Sequence, residues 1–169
     1  MPILSCLHDK VPGRQAALLA TTGAGRGAFT ASMQHLIQIG LVERNPGHGH
    51  PLRPEFRLTQ SGSDAAATAS LLLKAAEAED QVLLRRAWTL PILAALSVPC
   101  YFGEIKKYLP KITDRALSQS LQLLEGQGWV ERSVSAADRP PRPVYCAINT
   151  GARISLVASK QISFSPQEE

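Results

Sequence analysis

The chain has 169 residues, with 18 Lys/Arg against 14 Asp/Glu and a formal charge of +4. That is room for one ordinary domain or two very small ones, with enough positive charge to accept a polyanionic partner but not enough to demand one. An apolar fraction of 44% suffices for a buried core. No apolar run approaches the ~18 residues of a membrane helix, and Met1-Pro2-Ile3-Leu4 lacks the layout of a signal peptide, so a cytoplasmic protein is expected. Cys6, Cys100 and Cys146 form no CxxC pair, which argues against a disulfide framework and for thiols that stay reduced.

In chain order, residues 2–7 are apolar and helical in character, and the first helix reads as clipped by the start of the chain. Helices are expected over 14–21 and 26–39, and strands over 41–44 and 55–59. In the second strand Phe56 and Leu58 alternate with Glu55, Arg57 and Thr59, as on a half-buried strand. The Gly- and Pro-rich stretch 45–51 between them reads as a loop tip. Residues 63–87 are expected to form one long helix, since 71–87 are rich in the helix formers Leu, Ala, Glu and Lys. Its Ala65, Ala69, Leu72 and Ala76 would pack two halves of the molecule together. A helix follows over 91–96, with Pro91 in its first turn, and another over 103–109, closed by Pro110. Thr113 suits the N-cap of a third. There Leu117, Leu121 and Leu124 share one face, while Asp114, Arg115, Ser118, Gln119 and Gln122 occupy the other. Gly126 and Gly128 supply the stop. Strands over 129–134 and 144–148 flank a polar, Pro-rich loop over 136–143.

This order repeats. Gly40-Leu41-Val42-Glu43-Arg44 returns 88 residues later as Gly128-Trp129-Val130-Glu131-Arg132. At the same offset Phe29, Met33 and Leu36 fall on Leu117, Leu121 and Leu124, with Thr30 on Ser118 and Ser32 on Ser120. After a slip of one residue, Arg53-Pro54-Glu55-Phe56 matches Arg142-Pro143-Val144-Tyr145, and Gly62 matches Gly151. Residues 2–7 echo 91–96. Three helices followed by a hairpin is the winged helix-turn-helix arrangement. The expected fold is therefore mainly α with small β-wings: two tandem units related as an internal pseudo-dimer. The expected boundaries are an N-terminal unit at 1–62, a linking helix at 63–87, a C-terminal unit at 88–158 and a polar tail at 159–169.

Trp88-Thr89-Leu90-Pro91-Ile92-Leu93, Phe102-Gly103-Glu104-Ile105, Leu117-Ser118-Gln119-Ser120-Leu121 with Leu124-Glu125, the Gly128 to Arg132 string and Pro143-Val144-Tyr145 together resemble the HxlR family of MarR-like bacterial winged-helix repressors and activators. The resemblance covers roughly residues 85–155 well and residues 1–62 more weakly. It implies a DNA-binding transcriptional regulator. Members usually carry one winged helix and dimerise, whereas two copies here share a chain. Many carry Cys-Pro ahead of the first helix. No cysteine precedes Trp88 closely, so the thiol sensing of some members does not transfer. Ala147 and Ile148 stand where the family tends to have Leu-Thr.

On that reading the N-terminal part of the third helix enters the major groove. Arg115 would pair with guanine and Gln119 or Gln122 with adenine, while Ser118 and Thr113 suit phosphates or base edges. The plain alternative is a solvated helix face. Arg26, Thr30 and Gln34 are the counterparts in the first copy. Gly25 and Gly27 there either allow close approach to a phosphate or mark a degenerate copy kept for the pseudo-dimer interface. Lys106, Lys107 and Lys111 would clamp phosphates beside the reading helix. Residues 1–79 hold seven basic and six acidic side chains, net +1, and residues 80–169 eleven and eight, net +3, so the second half should grip phosphate harder. His48, Arg139 and Arg142 lie in the wings and would face DNA, although Arg53 and Arg142, each before a proline, could equally brace strand entry.

His48 and His50 alone are too few for a metal site, and neither metal nor cofactor is expected. The Gly23 to Gly27 stretch lacks the Gly-Lys-Ser/Thr ending of a phosphate loop. No GxSxG, HExxH or GxGxxG is present, so no enzyme is expected. Trp88 and Tyr145 read as packing residues that could also line a pocket for a small-molecule effector. Cys6 would be oxidisable only with a lowered pKa and access, and Cys100 and Cys146 read as buried bystanders. The rival function is a winged-helix adaptor that binds protein instead of DNA.

Overall fold

In a computed structural model, residues 1–45, 55–135, 141–162 and 164 are described. The chain partitions into two compact units, Met1–Lys74 and Ala75–Glu169. No helix among the described residues is long and apolar enough to cross a membrane.

Unit 1 runs α1 (Pro2–His8), α2 (Gln15–Thr22), α3 (Arg26–Gln38), β1 (Val42–Asn45), β2 (Glu55–Leu58) and α4 (Gln60–Ala75). Ile3, Leu4, Leu18, Phe29, Met33 and Val42 close its core with Ala66 and Ala69 of α4. The strands pair antiparallel with Arg44 opposite Phe56. A single bridge joins Arg14 to Glu55, backed by an ion pair between their side chains at 3.3 Å.

In unit 2 a 3-10 helix (Asp80–Arg85) leads to α5 (Thr89–Ala95), β3 (Cys100–Tyr101), α6 (Phe102–Tyr108), α7 (Asp114–Gly126), β4 (Val130–Ser135), β5 (Arg142–Ala147) and α8 (Asn149–Ala158). The sheet order is β3-β5-β4, all antiparallel. Ile92, Leu93, Ile105, Ile112, Trp129 and Ile154 are fully buried, as are Leu117, Leu121 and Leu124 of α7. This is the i, i+4, i+7 face that the sequence marks. Thr113 caps α7, its hydroxyl oxygen accepting the Ala116 N–H at 3.2 Å.

The same turn closes the third helix in each unit. Gly40 and Gly128 take φ of +73° and +71°, a conformation that glycine adopts without steric cost. The next amide then donates back into the helix, Leu41 N–H to Leu36 at 3.0 Å and Trp129 N–H to Leu124 at 2.9 Å. The Gly40 carbonyl accepts the Thr59 hydroxyl at 2.6 Å, and the Gly128 carbonyl accepts the Asn149 side-chain amide at 3.1 Å.

Several expectations are corrected. The helix expected over 63–87 ends at Ala75 and gives way to the 3-10 segment. Glu77, Glu79 and Asp80 follow Ala75, and carboxylates are unfavourable at a helix C-terminus. Leu83 and Leu84 are both buried, although adjacent residues do not share one face of a long helix. Ala65, Ala66 and Ala69 pack against unit 1's own core. The first helix is not clipped relative to its counterpart, since α1 and α5 each have seven residues. The strand expected from 144 begins at Arg142. Proline is usually confined to sheet edges, and β3 pairs only with Val144 and Tyr145, leaving Pro143 an open side. Two elements escaped the sequence reading: β3, whose two residues are too short for any periodicity, and α8.

Candidate nucleic-acid interface

The exposed face of α7 carries Arg115, Ser118, Gln119 and Gln122, opposite the leucines that anchor the helix. These four side chains stand where the sequence places them, on the helix between the α6–α7 turn and the hairpin. Thr113 is exposed at the helix start. Its oxygen is engaged in the cap, and its hydroxyl proton can still be donated outward.

The lysine cluster divides. Lys107 and Lys111 are exposed. The Lys106 ammonium instead reaches across the turn, donating to the Ile112 carbonyl and to Asp114 Oδ1 at 2.6 Å. Of the three lysines expected to clamp phosphates, two are exposed and the third is a brace that fixes α6 to the start of α7.

Arg142 lies at the base of the wing with its guanidinium 4.6 Å from the centroid of the Tyr101 ring. That stacking ties β5 to the segment opening α6, which fits the bracing alternative. Arg139 and His48 lie outside the described residues, as do Arg53 and His50. Among the described residues no group of three or more His, Cys, Asp and Glu side chains could hold a metal ion.

In unit 1, Arg26, Thr30 and Gln34 are exposed along α3. The Thr30 hydroxyl donates to the Arg26 carbonyl at 2.9 Å, within the helix. A Cβ added at Gly25 or Gly27 would meet nothing within 4 Å, so packing does not require glycine at either position.

One feature was not anticipated from the sequence. In unit 2 a groove of about 310 Å³ separates α7 from the hairpin; Ser118, Leu121, Gln122 and Glu125 form one wall, Arg132 and Tyr145 the other. In unit 1 a groove of about 190 Å³ occupies the matching place. Its helix wall includes Thr30, Met33, Gln34 and Ile37, and its sheet wall Arg44 and Phe56. Five of these residues stand 88 positions from their counterparts, and Phe56 stands 89 from Tyr145, after the one-residue slip. The signal was present in the repeated Glu-Arg of the two strands, but only the fold puts that arginine beside the third helix.

Two of the three thiols, those of Cys6 and Cys100, lean away from reactivity. Burial, with the Asp9 carboxylate second, pushes the Cys6 thiol above its ordinary value. Burial, with Glu104 second, does the same to Cys100. Cys100 is buried and Cys146 half-buried. Trp88 is half-buried at the N-cap of α5.

Helix, turn, helix and antiparallel hairpin define unit 2 as a winged helix-turn-helix in form. Residues 83–164 match the family model described as HxlR-like helix-turn-helix. A 53-residue stretch is 40% identical to an HTH-type transcriptional regulator of Methanothermobacter thermautotrophicus, covering 31% of this chain and 40% of that protein. The chain therefore spans about two fifths of the length of that curated relative. Similar solved structures include diamide-treated YodB from B. subtilis, 27% identical over 49% of this chain and 82% of that one, with a TM-score of 0.44. Reduced MarR from E. coli is 22% identical over 59% and 74% of the respective chains, with a TM-score of 0.40.

Proposed function

We propose that the protein is a sequence-specific, DNA-binding transcriptional regulator with two tandem winged helix-turn-helix units in one chain. The observation that carries this is α7. It is capped at Thr113 and anchored by three buried leucines, and it presents Arg115, Ser118, Gln119 and Gln122 to solvent beside a hairpin. Arginine and glutamine offer the donor pairs that read base edges in the major groove. The match of residues 83–164 to the HxlR-like model supports the same reading. Lys107, Lys111 and Arg142 would contact the flanking backbone, as would Arg139.

The tandem arrangement is supported by the shared glycine turn and the matching grooves of the two units. On this reading unit 1 is the pseudo-dimer partner, presenting Arg26, Thr30 and Gln34, with His48 in its wing. Such a protein works in the cytoplasm of a bacterial cell, has no catalytic role, and leaves room for a small-molecule effector.

The test is a mobility shift on mixed genomic fragments at two salt concentrations, with Arg115→Ala and Arg26→Ala alongside. Binding that weakens steeply with salt and is lost in Arg115→Ala is the expected result. The Arg26→Ala result reports whether unit 1 takes part. No retention of any fragment at low salt would overturn the proposal. The adaptor reading has one observation in its favour, in unit 1: Ile39, at the end of α3, is exposed, which suits a protein partner better than a phosphate backbone.

A further inference from the structure

The two grooves between third helix and hairpin share residues with the exposed helix faces, Ser118 and Gln122 in unit 2 and Thr30 and Gln34 in unit 1, but their arginines, Arg132 and Arg44, belong to no assigned site, and the grooves are built alike. Arg132 lies directly across the strand pair from Tyr145, and Arg44 directly across from Phe56. Directly opposed residues on antiparallel strands project from the same face of the sheet. In each unit, therefore, an aromatic ring and an arginine stand side by side on the face turned to the third helix. The ring offers the arginine stem an apolar surface to lie on while the guanidinium keeps its donors free to turn outward. Arg44 and Arg132 are both exposed, and both line their grooves.

We propose that Arg132, and Arg44 in unit 1, each hold a backbone phosphate of duplex DNA in the groove at the root of the hairpin. This rests on the DNA-binding reading above. When a helix lies in the major groove and a wing reaches the adjacent minor groove, the sugar–phosphate strand dividing the two must cross the space between helix and hairpin. A guanidinium suits that position because its planar donors match two phosphate oxygens. In unit 2 Ser118 lines the same groove, and its hydroxyl is a neutral donor. In unit 1 the Thr30 proton is engaged within the helix, which leaves the phosphate to Arg44.

The grooves differ at one charged position. Glu125 lines the groove of unit 2, where Ile37 lines that of unit 1. A carboxylate beside an incoming phosphate repels it and competes for Arg132. Glu125 therefore limits how tightly unit 2 holds the backbone, and unit 1 carries no such brake.

The experiment is a titration of one bound DNA fragment with the full chain from 50 to 200 mM salt. It compares wild type, Arg132→Gln, Arg132→Lys, Arg44→Gln and Glu125→Gln, with a melting curve for each. Loss of one phosphate contact lowers the slope of log affinity against log salt by about 0.9. Arg132→Gln and Arg44→Gln should each show that drop and bind the fragment more weakly, with an unchanged melting point. Arg132→Lys should keep the slope, and Glu125→Gln should tighten binding. A wild-type slope in Arg132→Gln would overturn the inference while leaving DNA binding intact. A wild-type slope in Arg44→Gln alone would overturn it for unit 1. Absence of wild-type binding would instead overturn the DNA-binding reading itself.

Discussion

Gly151, in the first turn of α8, lies so close to the carbonyl of Trp129 that a Cβ would overlap the oxygen, and Gly62 of α4 meets the carbonyl of Leu41 in the same way. The same two carbonyls also accept backbone hydrogen bonds, from Ile148 N–H at 2.9 Å and Thr59 N–H at 3.1 Å. In each unit the helix after the hairpin is thus seated on the residue that follows the glycine turn, at the foot of the wing.

A methyl group at either seat must push backbone against backbone. Gly151→Ala and Gly62→Ala should each destabilise their unit by about 1–3 kcal/mol, the usual cost of overpacking. Gly27→Ala should have the opposite sign. Gly27 lies inside α3 with open space around it, so the change gains about 0.5–1 kcal/mol of helix preference. Urea denaturation followed by circular dichroism would check the pair. Equal effects from Gly27→Ala and Gly151→Ala would refute the seat.

Asp9 gives a pH dependence with a definite sign. The Lys74 ammonium donates to its carboxylate at 3.0 Å and the Ser70 hydroxyl at 3.2 Å. The Lys74 hydrogen bond is the largest cause holding the Asp9 carboxyl below its ordinary value of 3.8. A carboxyl lowered in the folded state contributes stability above the ordinary value and loses it as pH falls through the folded one. The tie between the end of α1 and α4 should therefore hold at neutral pH and loosen only in acid below about pH 4. An NMR titration of the Asp9 carboxyl should show a midpoint below the ordinary value, rising in Lys74→Met. An unchanged midpoint in that variant would show that Lys74 is not the cause.

For the thiols the expected chemistry is slowness. The thiolate is the reactive form, and both Cys6 and Cys100 are held toward the protonated thiol, chiefly by burial. Alkylation by iodoacetamide near pH 7.5, followed by peptide mass spectrometry, should run slower at both than at free cysteine, and slowest at Cys100, which is buried. Modification of Cys6 at the rate of a free thiol would reopen a redox role for it.

What the sequence made legible, and what it hid, follows from the range of the forces involved. The faces of α7 were legible because leucines at helical spacing report burial directly, and Thr113 announced the helix start. The repeat was legible wherever local backbone demands fix residue type, as at Gly40 and Gly128. It also paired Gly62 with Gly151, although their packing role needed the fold. The two-residue strand at Cys100 and Tyr101 was hidden because it exists only through pairing with β5, a partner more than forty residues away. The end of α4 at Ala75 was misread because Ala, Leu and Glu favour helix locally, whereas the run of carboxylates and the adjacent buried leucines beyond it act against continuation. A sequence displays charges but not their pairing, and only the fold joins Asp114 to Lys106.

That last residue separates two roles that composition confuses. Lys106 is engaged by the Ile112 carbonyl and Asp114, so removing it should cost rigidity at the α6–α7 turn and no phosphate contact. Lys107 and Lys111 are exposed and remain available to a backbone. In salt titrations of DNA binding, Lys107→Ala and Lys111→Ala should each lower the slope by about 0.9 with little change in melting point. Lys106→Met should keep the wild-type slope while lowering the melting point, since the pair is only partly shielded from water and such pairs are worth about 1 kcal/mol or less. A slope reduced in Lys106→Met as much as in Lys107→Ala would mean that the ammonium leaves Asp114 when DNA arrives. The brace would then be a resting arrangement that the complex exchanges for a phosphate.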